Sequence, residues 1–183
     1  MNDYPLELRR HSAAHVMAAA VHRLFPTAKF GVGPAVENGF YYDIDIGRSL
    51  SPEDLAAIEK EMQTIVAANP AFVRQEVSLD EAIALFTELG QPYKVELLND
   101  LKTKGTTRVS NEEAQEIDPQ NVGTVTIYHT GDFVDLCRGP HVAEAKEIGA
   151  WKLTKVAGAY WRGKETNAQM QRIYGLCFKT AEE

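Results

Sequence analysis

The sequence is short of cysteine, of long apolar runs and of basic charge, and each shortage narrows what the protein can be. Two cysteines, Cys137 and Cys177, among 183 residues are too few for a disulfide framework. Cysteines this sparse serve as ligands, reactive thiols or core residues and fit a reducing compartment. No apolar run approaches the ~18 residues of a membrane span. The opening MNDYPLELRR has no apolar signal-peptide core, so the expected location is the cytoplasm. Nineteen Lys and Arg against 26 Asp and Glu leave a net charge of −7. Taken alone, that argues against a nucleic-acid partner. Internal repeats and low-complexity tracts are also missing.

The chain does have a core's worth of apolar residues, 44%. That suffices for one domain or two small packed halves. Its charge is uneven. Residues 151–179 hold six basic side chains (Lys152, Lys155, Arg162, Lys164, Arg172 and Lys179) and one acid, Glu165. Such a segment is either a solvated face or a stripe that holds a phosphate backbone in a salt-dependent way.

Residues 6–24 are rich in alanine and free of glycine and proline until Phe25-Pro26, which predicts a helix. Residues 29–46 read as two strands around turn-rich stretches at 31–34 and 37–39. Ser51, with Pro52 at the first position, caps a second helix whose apolar stripe is Leu55, Ile58, Met62, Ile65 and Val66. A strand over 72–77 follows. Ser78 and Glu81 have capping-box spacing for a third helix, stopped by Gly90. Residues 102–121 are polar, with a helix-like patch at 111–116, and read as a surface excursion. Strands are expected at 124–129, 132–136, 151–156 and 172–178. Without strict βαβ alternation, the fold class is α+β with an antiparallel sheet.

The chemistry starts with His11 and His15. Four residues apart, they share one helical face. His22 lies near the same azimuth but ~16 Å further along the axis, too far to share their focus. Cys137 and His141 have the same offset, but Gly139-Pro140 forbids a helix, so a tight turn must bring them together. Two His, a Cys and a third His can form a zinc set. Spacing alone leaves open a polar patch on the helix and a small buried hydrophobe at Cys137.

The His-x-x-x-His helix and the distant Cys-x-x-x-His resemble the shared editing fold of threonyl- and alanyl-tRNA synthetases. Longer strings are similar to the threonyl branch: Gly33-Pro34 with residues 38–43 (NGFYYD), 93–97 (YKVEL), 132–141 (DFVDLCRGPH), 158–163 (GAYWRG) and 171–175 (QRIYG). They occur in family order over nearly the whole chain. The stretch near 102–121 departs from the family by being longer.

The resemblance implies a single editing domain over 1–183. A long N-terminal helix would lie across a cleft, with a smaller α/β subdomain and a helix–strand–helix excursion at about 51–90. It implies hydrolysis of Ser-tRNA(Thr), with the tRNA 3′ end carrying serine as partner. A nearer alternative is an alanyl-type deacylase of seryl- or glycyl-tRNA(Ala); a more distant one is a non-catalytic tRNA-binding module. The implied catalytic positions are His11, Lys94, His15, Asp135, Cys137 and His141. Among these, His11 would titrate near neutrality and handle water, Lys94 would stabilise charge or, if desolvated, act as a base, and Asp135 would hold the substrate ammonium or orient a His. Substrate would meet Tyr42, Gly33, Arg138, Arg162 and Lys164, with Tyr160 and Trp161 either stacking on a base or packing inside. No cofactor is required on this reading, with zinc on His11, His15, Cys137 and His141 as the alternative. The aminoacylation motifs of class II synthetases are not found in the sequence. The chain is therefore expected to be a piece of a full synthetase rather than a free-standing editor, and not to charge tRNA by itself.

Overall fold

The computed structural model describes residues 2–104 and 123–183. Helix α1 (Leu6–Leu24) ends at Phe25, as the glycine-free run predicts. Residues 11–21 are all buried. Alanine at 13, 14 and 18–20 lets other elements approach α1 from every side, so it is a core helix rather than a surface one. Three short strands follow where two were expected: β1 (Lys29–Phe30), β2 (Ala35–Val36) and β3 (Gly39–Asp45). In α2 (Pro52–Ala68), the Ser51 hydroxyl accepts from the Asp54 N–H and the Asp54 carboxylate accepts from the Ser51 N–H, completing a capping box. Ile58, Met62 and Ile65 of α2 are buried in the core that contains α1.

Next come β4 (Phe72–Ser78) and α3 (Leu79–Glu88), whose Ser78 hydroxyl accepts from the Glu81 N–H. Helix α4 (Pro92–Lys104) was not expected. Its signals were Pro92 at the first position and buried Leu97, Leu98 and Leu101. The polar side chains between them blur that stripe. Residues 102–104 finish α4, and the helix-like patch at 111–116 lies outside the described residues. Strands β5 (Thr124–Thr130), β6 (Phe133–Leu136), β7 (Ala150–Tyr160) and β8 (Gln169–Phe178) complete the chain.

The fold is α+β with two antiparallel sheets. The larger has strand order β1-β3-β8-β7, with β2 also on β3; the smaller is β4-β5-β6. Alternation on β3 sends Phe40, Tyr42 and Ile44 into the core with α1. Helices α3 and α4 cover the smaller sheet through Phe86, Leu98, Leu101, Val125, Ile127 and Leu136. A third cluster of Val32, Leu97, Trp161 and Met170 joins α4 to the larger sheet. As a result α1, β3, α4 and β6 converge.

The basic segment is not a bare stripe. Lys152 binds Glu59 at 2.6 Å, Arg162 binds Asp100 at 2.5 Å, Arg172 binds Asp43 at 2.7 Å and Lys179 binds Asp3 at 2.6 Å. Acids from elsewhere in the chain answer most of the local excess. No helix among the described residues is long and apolar enough to cross a membrane.

Candidate active site

His11 and His15 project from α1 one turn apart, with ring centroids 5.2 Å apart. Cys137 follows the last residue of β6. There Gly139 adopts φ +71, and a Cβ on it would lie 2.3 Å from the Tyr128 hydroxyl, so glycine alone fits the turn. The turn brings His141 back, with its Nε2 3.2 Å from Cys137 Sγ. Cys137 Sγ lies 3.5 Å from His11 Nε2 and accepts from the Gly139 N–H at 3.3 Å. One ligand atom from each of His11, His15, Cys137 and His141 lies within 4.8 Å of the others. Helix and turn meet directly. His22 is not among the four; its ring lies by Phe30 and Phe133.

A second set adjoins the first. Lys94 of α4 is 1% exposed, with Nζ 3.1 Å from Asp135 Oδ1. Nζ also donates to the Tyr42 hydroxyl at 3.1 Å, and Tyr42 donates to Asp135 Oδ2 at 2.6 Å. Asp135 Oδ2 lies 3.4 Å from His15 Nδ1. That pair is close but misaligned, for neither ring nitrogen of His15 has a hydrogen-bond partner among the described residues. Asp135 is thus the hinge between the two sets, in contact with Lys94 and Tyr42 on one side and His15 on the other. Its neighbours are a buried ammonium and an imidazole of the cluster.

Burial decides the charge of the imidazoles. It pushes His11 down to about 4; the Asp135 charge opposes this and Lys94 reinforces it. His15 falls well below the usual histidine range through burial, then through His11 and Lys94. His141 falls through burial, then through His15 and His11. At neutral pH all three rings are neutral. His11 was expected to titrate near neutrality; desolvation instead leaves it a free base there.

The remaining sites fall differently. A Cβ on Gly33 would lie 2.2 Å from Tyr42 Cδ2, so its backbone sits flat against that ring. Arg162 holds Asp100 and Glu96 of α4, and the Trp161 Nε1–H donates to Glu96 at 2.6 Å. Trp161 is packed inside, whereas Tyr160, Arg138 and Lys164 are exposed. Cys177 is a core residue whose thiol burial pushes up to about 11. Sequence reasoning passed over Ser12, whose hydroxyl lies 2.9 Å from His141 Nδ1. Its signal was a polar residue inside an otherwise apolar helical stretch.

Residues 125–174 match the family described as the threonyl and alanyl tRNA synthetase second additional domain. Over 177 residues, 97% of the chain, it is 50% identical to a threonine--tRNA ligase from Nitratidesulfovibrio vulgaris, covering 24% of that relative. A threonine--tRNA ligase from Dehalococcoides mccartyi is 50% identical over 94% of the chain and 26% of its own length. The chain is homologous to one segment of threonine--tRNA ligases. A third such ligase, from Pelobacter propionicus, is 47% identical over 178 residues. The chain spans about a quarter of the length of these relatives. The matched family segment holds Asp135, Cys137 and His141, while His11, His15 and Lys94 fall within the longer alignments.

The cluster suits a zinc ion in geometry and donor chemistry. Tetrahedral zinc sets ligand–ligand distances of roughly 3.3–3.6 Å. The Sγ–Nε2 distances here are 3.2 and 3.5 Å, and His15 Nε2 is a buried nitrogen without a partner among the described residues.

Proposed function

We propose that the chain is an editing hydrolase that removes serine from mischarged Ser-tRNA(Thr). One observation carries the reading. In a homologue of threonine--tRNA ligases, an Asp-anchored buried ammonium shares a centre with three neutral imidazoles and a thiol. Ester hydrolysis needs a proton acceptor and charge stabilisation, and this set provides both.

In the proposed reaction, water adds to the seryl carbonyl carbon and His11 takes its proton. Lys94 Nζ faces the oxygen on which negative charge develops, held there by Asp135 and Tyr42. The ester C–O bond then breaks, the ribose oxygen receives the proton from His11, and free serine leaves. The acyl group approaches over His11 and His141, the cluster's least buried members. Binding alone discriminates a methylene-sized difference by only ~1–3 kcal/mol, so a synthetic site that accepts threonine also admits serine. A second site that accepts serine and excludes the additional methyl group of threonine corrects the error. The partners on this reading are the 3′ end of tRNA(Thr) and the rest of a synthetase. If zinc is bound, His11, His15, Cys137 and His141 would hold it, and it would polarise water as a Lewis acid. The resemblance to the threonyl branch favours the route that uses only the chain's own residues, and we propose the reaction as metal-free.

The test is to incubate the chain with Ser-tRNA(Thr) and with Thr-tRNA(Thr). Serine release far faster than threonine release supports the proposal. Inertness toward both, with tRNA binding demonstrated, rejects it in favour of a binding module.

A further inference from the structure

Ser12 is fully buried on α1, and its hydroxyl makes three contacts. It lies 2.8 Å from the Leu8 carbonyl oxygen, 3.1 Å from the Val142 nitrogen and 2.9 Å from His141 Nδ1. A hydroxyl has one proton and two lone pairs. The Val142 N–H can only donate, so it takes one lone pair. The Leu8 carbonyl can only accept, so a proton belongs between the two oxygens at 2.8 Å. The remaining lone pair then faces His141 Nδ1, which must carry a proton to bond it. The opposite arrangement, with Ser12 donating to Nδ1, leaves two bare oxygens 2.8 Å apart in a buried site. Only the first satisfies every contact.

We infer that Ser12 fixes the proton of His141 on Nδ1 and aims the Nε2 lone pair at the cluster. That makes it a positioning residue for the hydrolysis proposed above, and this last clause rests on that proposal. The consequence spreads through the cluster. Cys137 Sγ, 3.2 Å from His141 Nε2, lies in front of that lone pair. The same sulfur accepts from the Gly139 N–H and lies 3.5 Å from His11 Nε2, so the orientation of His141 bears on the ring proposed as the base.

The experiment is a long-range proton–nitrogen NMR correlation on the uniformly labelled chain near pH 7. EDTA is present so that no ion imposes a tautomer. The wild type is expected to show His141 protonated on Nδ1; protonation on Nε2 overturns the inference, with no mutant needed. Ser12→Ala should lose the single tautomer and Ser12→Thr should keep it; an unchanged Nδ1–H signal in Ser12→Ala overturns the role of the serine. In Ser-tRNA(Thr) deacylation, Ser12→Ala should lose ~10- to 100-fold in kcat with KM little changed. Ser12→Thr should recover most of that. Wild-type kcat in a Ser12→Ala chain whose tautomer has shifted rejects the positioning role and leaves the proposed function standing. If the wild type releases no serine, the proposed function fails, while the NMR result still decides where the proton lies.

Discussion

Replacing Lys94 by methionine removes the buried ammonium and keeps most of its apolar volume. In the intact chain that ammonium faces Asp135 at 3.1 Å, both side chains are 1% exposed, and Tyr42 bonds each of them. Without Lys94, the carboxylate keeps the Tyr42 hydroxyl and the misaligned His15 and has no facing cation among the described residues. Breaking a buried pair from one side costs about 3–5 kcal/mol, because a charge is left uncompensated. Domains of this kind have only ~5–15 kcal/mol of stability in all. With a urea slope of about 2 kcal/mol per M, the unfolding midpoint should drop by roughly 1.5–2.5 M. Adding Asp135→Asn removes the stranded charge. The double variant should therefore be more stable than the sum of the single losses predicts, by about 2 kcal/mol or more. Urea titrations of wild type, both single variants and the double variant, followed by circular dichroism, measure all of this. A midpoint within ~0.3 M of wild type for Lys94→Met, or strict additivity, would refute the buried pair.

Acid should destabilise the fold before any carboxylate range is reached. His11 binds its proton at 6.5 when unfolded and at about 4 when folded. Above pH 6.5 both states are neutral there. Between 6.5 and about 4 only the unfolded chain takes the proton, so stability falls across that window, by about 3 kcal/mol for His11. His15 and His141 act in the same direction. Thermal midpoints against pH test this, and a curve as steep in His11→Gln as in wild type contradicts it. Gly33→Ala should drive a methyl into the Tyr42 ring at a cost of about 1–3 kcal/mol. Because the Tyr42 hydroxyl would move off Asp135, serine release should fall as well; unchanged stability and turnover would argue against the close approach. Arg162→Ala should loosen α4 against the β7–β8 turn at a cost of about 1.5–3 kcal/mol and raise amide exchange along 92–104. Unaltered exchange there contradicts the clamp. EDTA treatment should leave the rate of serine release unchanged; a loss restored by zinc overturns the metal-free assignment.

Legibility in the sequence followed local physics. Helix α1 was readable to the residue because alanine content, an absence of breakers and Phe25-Pro26 all agree. The Ser51 and Ser78 caps were equally plain, since capping depends on residues three apart. Helix α4 was not, because its stripe is interrupted by Glu96, Asn99 and Asp100, and two of those acids bind Arg162 from far along the chain. The ion partners of the basic segment were unreadable for the same reason: Glu59, Asp100, Asp43 and Asp3 are distant in sequence. Within the candidate site, the His and Cys spacings marked the donors. The neutral state of the imidazoles could not be read, because it comes from burial by the whole fold. Ser12 and the Lys94–Asp135–Tyr42 triangle depend on contacts across more than 40 residues, which no local pattern encodes.

A hydrolysis-resistant seryl-adenosine analogue, with an amide in place of the ester, tests the site itself. Titrated into the labelled chain, it should shift the signals of His11, Lys94 and His141, and the threonyl analogue should shift them far less. Shifts confined to the groove between α2 and β7, lined by Leu55, Glu59 and Lys152, or equal responses to both analogues, would contradict the assignment of this cluster to serine removal.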